Sequence, residues 1–394
     1  MHNGSGGGVL SVIKNLLKYS ANPLIENHII FTINKDIMPH YHVEDVDGAF
    51  SQKVFYYSSK NNFYYTCKQL AKLLPGSDAI IIAHDWIELG MVSNLGLQNP
   101  VVQILHGDFN YYYELAKKNE KGIDLFICIS PVIFKNLLKF ISNRFIDIFY
   151  LNFPVPLVKI GNRANSISCI NILFCVRDLT EIRKQFNVII EIAKKLIIEK
   201  YEYFFTIVGE GYTQEDFFKI WPNSMKDRVI YLGKLSNKRL LELLPSQNIF
   251  LLPSITEGFP VTLIEAMKAG LVPIINNWEG AVEELVIHGE TGFYIDNGSV
   301  NDFVHTICLL KNDRTSLNKI SENCSEKANI IFDPLKNTKN FENIYLKSFD
   351  KRNTNKLPLK IYGSRLDAPW IPNRLVYFLR WFRSNITKLN FLSK

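Results

Sequence analysis

The 394-residue chain is 47% hydrophobic and 21% charged, with a mean hydropathy of zero, a composition of folded globular domains that excludes a disordered, collagen-like or low-complexity polymer. Its formal charge of +7 is concentrated at one end, because residues 351–394 hold ten lysines or arginines and one acid; the rest is near neutral, and no nucleic acid is expected as a partner. No run reaches the roughly 18 apolar residues of a spanning helix, and the N-terminus lacks the pattern of a signal peptide, so a cytoplasmic location is expected.

The chain opens on Gly4-Ser5-Gly6-Gly7-Gly8, followed by an apolar-periodic stretch to Tyr19. Such a turn suits either an anion held by backbone amides or a plain linker. Strand candidates follow at 28–32, 53–57, 79–83, 101–105, 125–129 and 147–151, most of them separated by helical stretches. A second series runs through 171–176, 204–208, 229–231, 249–252 and 272–275, with helices at 186–199 and 261–269. Alternation of this kind predicts βα units and parallel sheets, an α/β fold.

Pro154 and Pro156 continue neither a helix nor a central strand, so Asn152 to Pro156 divides the two series. The expected organisation is one domain over 1–153, a second over 154–350, and a basic tail over 351–394. In the tail a polar linker, Lys351 to Lys356, leads to a helix capped by Asn373. Its apolar residues Leu375, Phe378, Leu379, Phe382, Ile386 and Leu389 recur at helical spacing beside Arg374, Arg380, Arg383 and Lys388. Packing on the body is the expectation for that helix; contact with an anionic membrane through 373–389 is the alternative. The six cysteines, Cys67, Cys128, Cys169, Cys175, Cys308 and Cys324, show no C-x-x-C pair and no histidine at ligand spacing. Buried free thiols are expected, rather than a zinc site or disulfides.

Chemistry concentrates after the 249–252 strand. Leu251 to Met267 reads as a buried strand, a tight loop and the start of a helix. Pro260 suits the first helical position, where its missing N–H removes no bond, and the amides of Val261 and Thr262 are then donors at the positive end of a helix. Glu257 and Glu265 bracket the turn. Either acid alone is explained by a helix N-terminus or a surface position; the whole string is not.

Glu257 and Glu265 with seven residues between, Gly258-Phe259-Pro260, Glu265-Ala266-Met267 and Gly270-Leu271-Val272-Pro273 together resemble the donor-site signature of family 4 glycosyltransferases. The resemblance runs from about Ile172 to Asp296. It includes Val208-Gly209-Glu210-Gly211, Tyr231 to Ser236 with Leu235, and Gly280 through Gly289-Glu290-Thr291-Gly292. It implies two Rossmann-like domains facing across a cleft, the GT-B arrangement, with the C-terminal helix crossing back to the first domain. It also implies a retaining, metal-independent transferase without a cofactor. Such an enzyme moves a sugar from a nucleotide-sugar donor to a saccharide or lipid-linked acceptor, in cell-surface polysaccharide or glycolipid synthesis.

Roles follow from the resemblance. Glu265 would bind the donor ribose, and Glu257 with the amides of Phe259 to Thr262 would hold the sugar and diphosphate. Arg177 and Lys184 would stabilise charge on the leaving diphosphate. Val176 and Gln185 stand where the family has glycine, and Arg183 competes with Lys184. Gly209 and Leu235 would line the donor site, and Gly7 and Gly8 would face the diphosphate across the cleft. His106, at a strand's carboxyl end, would contact the donor sugar, with His84 a second candidate. Tyr111, Tyr112 and Tyr113 suit an acceptor groove or a core-facing helix. In the family the first glycine turn follows a central strand, whereas only Met1-His2-Asn3 precede it here. A missing first strand is therefore expected, and a truncated, non-catalytic sugar-nucleotide-binding partner protein stays open as the second reading.

Overall fold

The computed structural model describes residues 7–38, 43–160, 169–198, 203–257, 260–277, 285–361 and 363–392. The chain forms two units, residues 1–151 with 335–394, and residues 152–334.

The first unit contains α1 (Gly8–Lys18), β1 (His28–Asn34), β2 (Ser51–Tyr57), α2 (Phe63–Ala71), β3 (Ile81–Ala83), α3 (Trp86–Leu95), β4 (Val101–Leu105), α4 (Asn110–Asn119), β5 (Leu125–Cys128), α5 (Pro131–Phe140) and β6 (Ile148–Tyr150). All its strand pairs are parallel: β1 with β2, and β3-β4-β5-β6 in chain order. Every residue of β4 and β5 is buried, which is why these strands read as continuous apolar runs rather than alternating ones. Ile13 and Leu17 of α1 pack on Ile29, Phe31 and Ile33 of β1. Asn62, Asp85 and Ser130 start α2, α3 and α5 by accepting hydrogen bonds from the amides of Tyr65, Trp86 and Ile133. Among the described residues no strand precedes α1.

The second unit contains β7 (Ile170–Asp178), α6 (Phe186–Ile198), β8 (Tyr203–Glu210), α7 (Gln214–Ile220), β9 (Val229–Tyr231), α8 (Asn237–Leu243), β10 (Ile249–Leu252), α9 (Val261–Lys268), β11 (Val272–Asn276), β12 (Phe293–Ile295), α10 (Val300–Asn312) and α11 (Arg314–Ile331). Its parallel sheet has the order β12-β11-β10-β7-β8-β9. The order reverses at β7, so the connections leave in opposite directions from β7 and β10 and open a crevice at their carboxyl ends. Phe217 anchors one flank of the core by stacking on Tyr231 and Trp221 with centroids 4.3 and 5.5 Å apart. The short strand β12 has no counterpart among the sequence-predicted strands.

Lys268 at the end of α9 is fully buried. Its ammonium donates to the carbonyls of Val155, at 2.7 Å, and Phe332, at 2.9 Å, while the Val155 amide also donates to Phe332. One cation thus ties together the first and last segments of the unit. Burial pushes it down to about 8, since an apolar interior disfavours the charged form.

α12 (Pro334–Asp350) and α13 (Asn373–Leu392) complete the chain. The sequence reading groups 335–350 with the second domain, but in the structure these residues belong to the first unit; residues 351–394 belong to it too, in line with the expected return of the C-terminal helix to the first domain. The segment after α12 is largely exposed, as a polar linker should be, but it is pinned at one buried residue. Lys356 is buried, and its ammonium meets the Asp124 carboxylate at 2.5 Å and the Asn99 carbonyl at 2.8 Å; the Asn353 amide donates to the same carboxylate. Asn373 does not cap α13 either. The Pro372 carbonyl accepts the first helical amides, and the Asn373 side chain accepts the Asn62 amide instead. Helical spacing predicts that Leu375, Phe378, Leu379, Phe382, Ile386 and Leu389 pack inward; the side chain of Leu389 lies outside the described residues, the other five are exposed, and Val376 is the buried one among the described side chains of α13.

Candidate active site

The second unit gathers most of the motif residues at the carboxyl ends of its strands. Arg177, exposed, stands near the end of β7. The chain then turns through Ile182–Lys184 and reaches Gln185, whose φ of 56° is left-handed. A non-glycine residue is strained there, which gives a physical reason for the glycine found at this place in the family pattern. The turn aims Lys184 at Glu257, on the loop after β10. The ammonium meets both carboxylate oxygens, at 2.6 and 2.9 Å, with both side chains largely shielded from solvent. Arg183 pairs with Glu181, so Lys184 is the cation that reaches the loop.

The ion pair spans the crevice where the strand order reverses, and the backbone reinforces it. The Ile255 amide donates to the Arg183 carbonyl at 2.8 Å. Asn276, at the end of β11, donates to the Pro253 and Ser254 carbonyls at 2.8 and 3.1 Å and holds the base of the loop. Gly258 and Phe259 lie outside the described residues. Pro260 is not the first helical residue but the N-cap of α9, with ψ at 96°. The helix begins at Val261, which leaves Val261 and Thr262 as the amides of its first turn.

Glu265 is buried inside α9 and is no surface position. Its carboxylate accepts a hydrogen bond from the Asn237 amide side chain at 2.8 Å. Burial pushes its pKa up to about 7, against the pull of Asn237 and Lys268. The two acids therefore have different partners, Glu257 a cation and Glu265 a neutral amide. Gly209 lies where the ends of β7, β8 and β9 converge. A Cβ there would stand 2.8 Å from the Val176 carbonyl, and the Gly209 amide donates to the Gly233 carbonyl. Leu235, half-buried, follows in the loop that leads to Asn237.

In the first unit, Gly7 and Gly8 are exposed at the start of α1, with Gly7 at a φ of 129° that glycine alone adopts readily; Gly4 to Gly6 lie outside the described residues. His84 and His106, one after β3 and the other after β4, are both buried. Their rings meet through Nδ1 of His84 and Nε2 of His106 at 2.8 Å, so the two candidates form one constellation. Glu88 lies fully buried in the first turn of α3 and accepts from the His84 amide; burial pushes its pKa up to about 7. Of the three tyrosines only Tyr113 is buried, bonded to Asp108, whereas the exposed Tyr111 donates to Asp85 at 2.5 Å.

The family model for glycosyl transferases group 1 matches residues 170–328. These residues match the group 1 glycosyltransferases.

Similarity to proteins of the same kind extends beyond these residues. It is 26% identical over 329 residues to an uncharacterized glycosyltransferase of Haemophilus influenzae, covering 79% of this chain and 89% of the relative. A UDP-Gal:alpha-D-GlcNAc-diphosphoundecaprenol alpha-1,3-galactosyltransferase of Escherichia coli is 30% identical over 144 residues, 36% of each chain. Among solved structures, HepE of Anabaena in complex with UDP and glucose superposes with a TM-score of 0.68 at 14% identity, over 88% of this chain and 98% of that one. The fold is that of the GT-B glycosyltransferases, with two Rossmann-like domains.

Within the second unit, sequence reasoning misses Asn237 and Asn276. Each acts through a hydrogen bond to a residue 28 positions away or to carbonyls 22 and 23 away. The only local signal is that Asn237 directly follows Ser236, which caps α8.

Proposed function

We propose that the chain is a retaining, metal-independent glycosyltransferase that takes a sugar from a nucleoside diphosphate and delivers it to a saccharide or lipid-linked acceptor during cell-surface polysaccharide or glycolipid synthesis. The observation that carries this reading is the Lys184–Glu257 pair spanning the strand-order reversal within the residues that match the group 1 family, because that crevice is where a parallel α/β sheet binds nucleotides. Relatives named for transfer to diphosphoundecaprenol-linked sugars, or solved with UDP and glucose, support a uridine diphosphate sugar as the first donor to try.

In this reading Glu265 accepts the vicinal ribose hydroxyls, and the α9 amides of Val261 and Thr262, with Phe259, hold the diphosphate and sugar. As the sugar–phosphate bond breaks, the pair of electrons stays on the phosphate oxygen. Arg177 and Lys184 stabilise that growing charge in a partly dry site. The acceptor hydroxyl attacks from the same face, its proton passing to the leaving phosphate, and the anomeric configuration is retained. His106, Gly7 and Gly8 keep the donor-contact roles that the resemblance implies for them.

The test combines binding and turnover. Uridine diphosphate and its sugars are screened by thermal shift, since a ligand that binds only the folded chain raises its melting temperature. Transfer of a labelled sugar is then measured for the parent chain and for Arg177→Ala, Lys184→Ala and Glu257→Ala. Loss of turnover by about a hundredfold or more is expected for each. Near-normal transfer by all three sinks the assignment. Binding without transfer by the parent chain selects the non-catalytic partner protein instead.

A further inference from the structure

Of the seven exposed large apolar or aromatic side chains among the described residues of α13, five lie on one side of the helix, and Tyr377 and Trp381 lie outside that side. At about 100° of rotation per residue, Leu375, Phe378, Leu379, Phe382 and Ile386 share one arc about 100° wide. Each is between 40% and 56% exposed. Phe378 stacks on Phe382, with centroids 6.1 Å apart. Arg374 and Arg383, both exposed, border the arc on its two sides.

The other side of the helix holds it to the first unit. Val376 is buried, the Asn373 side chain accepts the Asn62 amide at 2.8 Å, and Arg380 donates to the Asn61 carbonyl and to Asp367 at 2.5 and 2.9 Å. The helix is therefore fixed with its apolar arc turned outward. From Ala368 to Lys394 the sequence has five basic residues and no acid. Among the described residues no helix is long and apolar enough to cross a membrane.

We propose that this arc rests in the surface of an anionic phospholipid bilayer, with the apolar side chains among the acyl chains and Arg374 and Arg383 at the headgroup phosphates. An apolar arc bordered by cations whose stems can reach along it is what an interfacial helix requires. A second copy of the chain fits less well. Two such arcs pressed together bring arginines against arginines with no acid on either helix to pair them. Docking of this kind deepens the proposed function by holding the enzyme where a lipid-linked acceptor resides. It rests on that reading only for its purpose, since vesicle binding needs neither donor nor turnover.

The full chain is sedimented with vesicles of phosphatidylcholine alone and of phosphatidylcholine mixed with phosphatidylglycerol. It should bind the mixed vesicles and leave the neutral ones largely bare. Phe378→Ser with Phe382→Ser changes only exposed side chains and should lower partitioning about tenfold or more. Arg374→Gln with Arg383→Gln should remove most of the preference for phosphatidylglycerol. Circular dichroism and the unfolding midpoint check that both variants keep the fold. Failure of the parent chain to bind mixed vesicles overturns the proposal, as does unchanged binding by the phenylalanine variant. A dimer that this variant dissolves, without vesicle binding by the parent, assigns the arc to a second copy. Vesicle binding without sugar transfer overturns the transferase reading alone.

Discussion

Lys184 holds Glu257 across the crevice between β7 and β10, its ammonium within 2.9 Å of both carboxylate oxygens. The pair joins two loops whose strands are neighbours in the sheet, although the two residues lie 73 positions apart in the chain. Lys184→Met leaves a shielded carboxylate without its cation and should cost about 1–3 kcal/mol in urea unfolding. Adding Glu257→Gln removes the stranded charge and should recover most of that loss, but not turnover, because the cation assigned to the leaving phosphate is gone. Recovery of turnover together with stability would reduce the pair to a structural contact.

Glu265 gives a pH dependence of known sign. Its carboxyl titrates near 4.5 in an ordinary setting and at about 7 in the folded chain. Between those values the folded chain keeps a proton that the unfolded chain has released, so this group lowers stability as pH rises through the window. Glu265→Gln should flatten that part of the stability profile, measured by urea unfolding. Ribose hydroxyls donate to the ionised form, so donor affinity in the parent should weaken as pH falls below about 7. Calorimetric titration of uridine diphosphate across the same range checks this, and an affinity indifferent to pH would remove the ribose role.

Gln185 occupies a left-handed position with φ at 56°. Gln185→Gly relieves that strain and should stabilise the chain by up to about 1 kcal/mol, part of the gain being offset by the entropy glycine brings to the unfolded state. Gln185→Val should do the opposite, since a β-branched side chain fits this region worst. Thermal unfolding of the two variants should bracket the parent; a Val variant above the Gly variant would contradict the assigned backbone.

The buried pair of Lys356 and Asp124 fastens the C-terminal segment to the first unit, with each side chain 2% exposed. Removing one partner strands a buried charge, so Lys356→Met should cost about 3–5 kcal/mol. Lys356→Met with Asp124→Asn should cost clearly less than Lys356→Met alone. Equal losses in the single and double variants, read by urea unfolding, would show that the pair is not coupled.

What could be read along the chain was whatever repeats locally. The alternation of apolar runs with helical stretches predicted parallel βα units, because strand and helix impose periods of two and 3.6 on which residues are buried. The fixed string from Glu257 to Met267 carried the resemblance to the family's donor loop, because a loop, a helix start and two acids in fixed order leave a linear signature. Other features depend on partners far off in the sequence. The choice of Lys184 over Arg183, the hold of Asn237 on Glu265 and the meeting of His84 with His106 follow from which strand ends the sheet sets side by side. The tail shows the division most clearly. Its amphipathic pattern was legible in residues 373–389, yet periodicity says only that an apolar arc exists. Which side packs was decided by Val376, Arg380 and Asn373 finding partners on the first unit, and those contacts turned the arc outward.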